Sequence, residues 1–230
     1  MKRLGLIGGS GWPSTLEYYR LLNTYFGDAK GTSHSMDMVV RNMDFEIFRE
    51  MTESGRNEDA IQMLVDGIND CKKAGADFFA FSANGVHRFL SQIEPLVKLP
   101  NVHIADATAK AVHEAGLKTV GLLGVKGTMD SDFYPGRLKA LGITTLIPSE
   151  EDKHLVDHII FSELVQNKFT QASKSKYLEV MRRLKKSGAE GIILGCTEIP
   201  LLISQKDFEL PLFATTEIHC RSIVEFALHG

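Results

Sequence analysis

Short apolar runs of strand length alternate along the chain with longer stretches in which apolar residues recur every three or four positions. The first pattern is that of strands buried on both faces, the second that of helices burying one stripe. Strands are predicted over residues 3–7, 35–40, 78–81, 102–104, 119–123, 144–147, 191–194 and 212–213, and helices over 14–26, 58–74, 106–115, 133–140, 152–163, 173–186 and 216–228. Such alternation predicts an α/β fold with parallel sheets joined by crossover helices.

The pattern also repeats. Residues 74–85, Ala-Gly-Ala-Asp-Phe-Phe-Ala-Phe-Ser-Ala-Asn-Gly, return as residues 187–198, Ser-Gly-Ala-Glu-Gly-Ile-Ile-Leu-Gly-Cys-Thr-Glu. Gly5-Leu6-Ile7-Gly8, Gly11 and Tyr18 return as Gly121-Leu122-Leu123-Gly124, Gly127 and Tyr134. Duplication predicts two similar Rossmann-like domains related by a pseudo-two-fold axis, with an active-site cleft between them. No Pro/Ser-rich linker divides the chain, so the boundary is read from the repeat: residues 1–100 with 211–230 as the first domain, 101–210 as the second. Leu210-Pro211 echoes Leu99-Pro100, which suggests that the last segment packs back onto the first domain. Ligands of open α/β sheets bind beyond the carboxyl ends of the strands, so turns 8–12, 82–85, 124–128 and 195–198 are expected to line one cleft.

Bulk composition narrows the partners. With 230 residues, 43% of them hydrophobic, the chain can bury a substantial core. A formal net charge of -3 with scattered Lys and Arg argues against nucleic acid. No apolar run approaches the roughly 20 residues of a membrane span, and the chain opens on a strand rather than a leader pattern, so a cytoplasmic protein is expected. Three cysteines, Cys71, Cys196 and Cys220, lack metal-type spacing and are expected as reduced thiols. Cys71 and Cys220 fall in helices and read as small buried hydrophobes.

Two turns carry candidate chemistry. Gly8-Gly9-Ser10-Gly11 leads from a strand into a helix with Pro13 in its first turn, where free N–H groups attract a carboxylate. It departs from the dinucleotide fingerprint in its third glycine and its acidic residue. Cys196 ends a buried strand before Thr197 and Glu198, where a thiol becomes a base or nucleophile if its thiolate is stabilised. At the equivalent turn of the first half stands Ala83, a methyl.

These phrases, with Thr128-Met129-Asp130-Ser131-Asp132-Phe133-Tyr134, resemble the aspartate/glutamate racemase superfamily over nearly the whole chain. The resemblance implies cofactor-independent chemistry, without pyridoxal phosphate or metal, in which two cysteines flank the α-carbon of a small acidic amino acid and exchange its proton on opposite faces. Cys196 matches the second cysteine. Where a Cys-Asn-Thr phrase would supply the first, this chain reads Ala83-Asn84-Gly85. A methyl exchanges no proton, so the two-thiol mechanism is ruled out as written. The alanine is either a substitution made to hold substrate or the mark of a natural subgroup, to which the accompanying Gly85 points.

The expected site therefore comprises Cys196 as the one thiol acid/base, Ala83 at the position of the missing cysteine, and Ser10, Asn84, Gly85, Thr128, Thr197, Glu198 and Arg49 around a small acidic amino acid or related carboxylate. His87, Asp106, Glu163 and His219 have helix-face or helix-start explanations, and Ser82 is a weak replacement for the missing thiol. Two other functions fit: a single-thiol decarboxylase or isomerase, since arylmalonate decarboxylase of the same superfamily resembles this arrangement, and a non-catalytic carboxylate-binding protein. A homodimer is expected.

Overall fold

The computed structural model describes residues 1–230 and divides into two compact units, residues 1–103 with 219–230 and residues 104–218. The elements of the first are β1 (Leu4–Gly8), α1 (Trp12–Lys30), β2 (Met38–Asn42), α2 (Phe45–Glu53), α3 (Asn57–Lys73), β3 (Phe78–Phe81) and α4 (Leu90–Ile93). Those of the second are α5 (Ile104–Glu114), β4 (Thr119–Gly124), α6 (Lys126–Met129), α7 (Phe133–Ala140), β5 (Thr144–Leu146), α8 (Glu150–Ser162), α9 (Gln171–Lys186), β6 (Gly191–Gly195), α10 (Ile199–Leu202) and β7 (Leu212–Ala214), followed by α11 (Thr215–His229), which continues into the first unit. Each unit is a parallel sheet with helices against it, the α/β architecture expected from the alternation.

The repeat is visible in strand order and register. The first sheet runs β2-β1-β3 and the second β5-β4-β6-β7. Ile7 pairs with Phe81, and their equivalents Leu123 and Leu194 pair likewise. The acidic residue before β3 and its counterpart before β6 do the same work: the Asp77 carboxylate accepts the Arg3 N–H at 2.7 Å, and that of Glu190 accepts those of Lys118 and Thr119 at 2.6 and 2.9 Å. Ahead of each lies a helix stop in which the residue after a left-handed glycine, Gly75 or Gly188, reaches back five residues, Ala76 to Cys71 and Ala189 to Leu184. A strand that must surface at a fixed register is thus tied at its start by a carboxylate and a helix cap.

Three expectations change. Strand 35–40 shifts to Met38–Asn42 because β2 is a partly exposed edge strand, where Arg41 and Asn42 pair with Ile7 and Gly8 at no burial cost. The strand expected at 102–104 shrinks to one bridge, Phe79 to Asn101, before the chain turns into α5. Residues 211–218 belong to the second unit instead of the first, because β7 fills the open edge of β6 with the register Leu194 to Ala214. Pro100 and Pro211 hold equivalent places, their carbonyls accepting from Phe79 and Ile192 at 2.9 Å each. Only from His219 onward does α11 serve the first unit, burying Cys220, Ile223, Val224 and Ala227 against Leu4, Tyr18, Leu22 and Phe78.

Candidate active site

In the first unit the glycine turn and the Ala83 turn are joined from beneath. Thr15, in the first turn of α1, accepts the Gly9 N–H at 2.9 Å and shares a buried 3.0 Å hydrogen bond with Ser82. Ser82 also donates to the Ile7 carbonyl at 3.4 Å and is 1% exposed, so its hydroxyl belongs to this strut and does not replace the missing thiol. Gly9 has φ +92°, and a Cβ there would lie 2.1 Å from the Met43 carbonyl oxygen, so glycine is required. With Gly9 bonded to Thr15, and the Gly11 N–H to the Gly9 carbonyl, Ser10 alone in this turn makes no hydrogen bond and is left half-buried at the start of α1. An anion at a helix N-terminus meets this kind of unspent donor.

Ala83 and Asn84 follow β3 and enter the 3₁₀ turn Gly85–Phe89. Ala83 is half-buried, Asn84 buried, and a Cβ on Gly85 would meet nothing within 4 Å. His87 holds this turn from below: its Nδ1–H donates to the Ala83 carbonyl at 2.8 Å and lies 3.3 Å from that of Asn84. Its ring packs at 4.7 Å from that of His103 and 5.5 Å from that of His219. His219 Nε2–H donates to the Val102 carbonyl at 2.8 Å, which leaves Nδ1 to accept from the Tyr18 hydroxyl at 2.9 Å. These imidazoles are structural, not cleft residues, and only the fold could bring them together.

Burial first, and then mutual repulsion with His103 and His219, hold His87 well below its ordinary pKa, and burial lowers that of His219 to about 4. Both are therefore neutral in the fold and take up protons more readily in the unfolded chain. The stability this supplies is complete above about pH 6.5 and is lost as pH falls toward 4. Unfolding free energy measured by urea between pH 7.5 and 4.5 is expected to decline, and His219→Gln should flatten that decline. A decline of unchanged size in His219→Gln would show that other groups cause it.

In the second unit Cys196, Thr197 and Glu198 form one cluster at the end of β6. The Cys196 thiol donates to Glu198 Oε2 at 2.9 Å and the Thr197 hydroxyl to the same oxygen at 2.7 Å. Burial, then the Glu198 charge and hydrogen bond, raise the Cys196 pKa well above its ordinary value. Of the two readings the strand-end position leaves open, the cluster favours the thiol: without ligand, this group is a thiol aimed at a carboxylate. Thr128 packs under the same strand ends, its Cγ2 close to where Cβ atoms of Gly124 and Gly195 would fall, and its buried hydroxyl has no partner. Glu163 lies elsewhere, its Oε2 accepting from Ser173 at 2.5 Å and Thr170 at 3.2 Å.

Arg49 sits on α2, where its guanidinium is paired with both Glu46 and Glu53 on the same helix face. Position in the chain singled it out as a cation for the substrate, but the i, i+3 and i, i+4 spacing of the two glutamates occupies it locally.

A model of the Asp/Glu/hydantoin racemase family matches residues 7–223. The chain is similar to the broad specificity amino-acid racemase RacX of Bacillus subtilis, 22% identical over 224 residues that make up 96% of each protein. Among solved structures, an aspartate racemase homologue from Pyrococcus horikoshii OT3 aligns over all of both chains with 32% identity and a TM-score of 0.86. A crystal structure from Yersinia pestis, provisionally described as an Asp/Glu racemase, aligns equally fully with 37% identity and a TM-score of 0.94.

Proposed function

The chain belongs to the Asp/Glu/hydantoin racemase family, and from that premise we propose that it acts at the α-carbon of a small acidic amino acid through a single thiol. The observation that carries this reading is the Cys196 hydrogen bond to Glu198 Oε2 at 2.9 Å. A thiol that hands its proton to a carboxylate becomes a base; taking the proton back, it becomes an acid again. Ser10, Asn84 and Gly85 in the first unit, with Thr128 and Thr197 in the second, are assigned to the substrate's α-carboxylate and its surroundings, and residue 83 contributes shape but no proton. Support comes from the unspent donors at Ser10 and Thr128. The reading requires no cofactor. A homodimer is part of it, supported by the exposed stripe Trp12, Leu16 and Tyr19 at helical spacing on α1.

One base on one face exchanges a proton without inverting the centre. In deuterated water, L-aspartate or L-glutamate is expected to gain deuterium at Cα while the D isomer accumulates at least ~10²-fold more slowly, the contribution typical of one missing acid/base group. Rapid inversion in both directions would reveal a second base and sink the one-thiol reading. The raised Cys196 pKa favours one alternative, a single-thiol decarboxylase, in which loss of carbon dioxide makes the carbanion and the protonated thiol only donates. Binding with neither exchange nor carbon dioxide release would leave the carboxylate-binding protein.

A further inference from the structure

One arginine of the first unit is half-buried without a carboxylate partner. Arg3, Arg20, Arg41, Arg49 and Arg56 are each paired with an acidic side chain, to Asp37, Glu17, Asp70, Glu46 and Asp59 among others. Arg221 is exposed, where water solvates it. Arg88 is half-buried, and its guanidinium makes neither an ion pair nor a hydrogen bond, only a stack over Phe89 at 4.7 Å. Burial lowers its pKa with nothing to oppose the effect. A charge drawn partly out of water and left uncompensated costs stability unless some other group supplies the compensation.

Its position says where that group would come from. Arg88 lies three residues after Gly85 in the 3₁₀ turn Gly85–Phe89. Side chains at i and i+3 of a 3₁₀ helix eclipse, so Arg88 and Gly85 share one face of the turn. On that face the Gly85 position opens onto free space, with nothing within 4 Å of where its Cβ would be. The platform under the guanidinium is firm: Phe89 is 5% exposed and meets Phe48 of α2 edge to face at 6.2 Å between centroids. A stacked guanidinium loses little freedom when it binds, and its planar fork matches a carboxylate with two parallel hydrogen bonds.

We propose that Arg88 recognises the second carboxylate of the acidic amino acid, the group that separates aspartate and glutamate from asparagine and glutamine. This rests on the substrate reading above and adds the residue that enforces it. Arg49, the candidate from chain position, is spoken for by Glu46 and Glu53, whereas Arg88 follows directly on the turn that carries Ala83 and Asn84. The open space at Gly85, where relatives of the superfamily would carry a threonine, gives the distal carboxylate its path.

The test is calorimetric titration of the full chain with L-aspartate, L-glutamate, L-asparagine and L-glutamine, for the unsubstituted protein, Arg88→Gln and Arg88→Lys. Losing a charge-assisted pair should weaken aspartate and glutamate about 10- to 100-fold in Arg88→Gln. The two amides should change less than about 3-fold, and Arg88→Lys should fall between. Equal weakening of acids and amides overturns the proposal, as does selective loss of the acids in Arg49→Gln but not in Arg88→Gln. If Arg88→Gln does not fold, the same contrast is read from Arg88→Lys. Aspartate and glutamate that bind and exchange at Cα undisturbed by either substitution defeat this inference alone. An unsubstituted protein that binds none of the four defeats the substrate reading, and the role of Arg88 with it.

Discussion

In the Ala83→Cys/Gly85→Thr variant, inversion of aspartate or glutamate at Cα is expected to rise by ~10²–10⁴ over the unsubstituted protein, the range associated with one positioned acid/base group. Residue 83 stands where Cys196 stands in the other half of the repeat, two residues beyond the paired Phe81 as Cys196 is beyond the paired Leu194. The site tolerates both changes. Ala83 is only half-buried, so a sulfur added there does not displace packed core. Gly85 has no left-handed backbone to preserve and no atom within 4 Å of a new Cβ, so threonine fits and returns a hydroxyl to the carboxylate site. His87 already fixes the Ala83 carbonyl at 2.8 Å, which holds the backbone that would aim the new thiol. Deuterium incorporation and chirality, followed separately with both isomers of each acid, check the result. A variant that binds these acids yet inverts none of them shows that residues 83 and 196 do not serve the same α-carbon.

Cys196→Ala is expected to remove the Cα exchange of the unsubstituted protein altogether, a fall of at least ~10²–10⁴ and more where groups act as a unit. Its thiol is the group the reading places at Cα, and two other candidates are engaged elsewhere: Ser82 is locked to Thr15, and Glu163 to Ser173 and Thr170. Glu198→Gln should also lower the exchange rate, because an amide oxygen still accepts the thiol's hydrogen bond but cannot take up its proton. Cys196 packs at the margin of its core, so melting temperature should shift little, which separates lost chemistry from lost fold. Exchange in Cys196→Ala equal to that of the parent would remove the thiol from the reaction.

Much of this could be read along the chain because it rests on local rules. Strands buried on both faces appear as unbroken apolar runs, and the helix stops at Gly75 and Gly188 are written by glycine followed by a small apolar residue and an acid. Helix α2 escaped notice. Its apolar positions Phe45, Phe48 and Met51 recur every three residues, but the helix is only nine residues long and presents a short pattern to read. The edge strand β2 slipped because solvent tolerates its polar end.

The partners of charged and polar side chains were not legible, because they are set by residues far apart in sequence. Tyr18 and His219 meet across 201 positions, and Thr15 finds Ser82 across 67. From the chain alone nothing separates the pairing of Arg49 from that of Arg88; only the folded protein shows the first paired with two glutamates and the second without a carboxylate. The sequence by itself determined the α/β class, the duplication and the exchange of a thiol for a methyl at position 83, since these depend on residue type and period. The tertiary structure decided which groups are spent on holding the turns, where β7 lies, and in which direction the Cys196 pKa moves. Those outcomes depend on burial and on distances of a few ångströms, which no local pattern encodes.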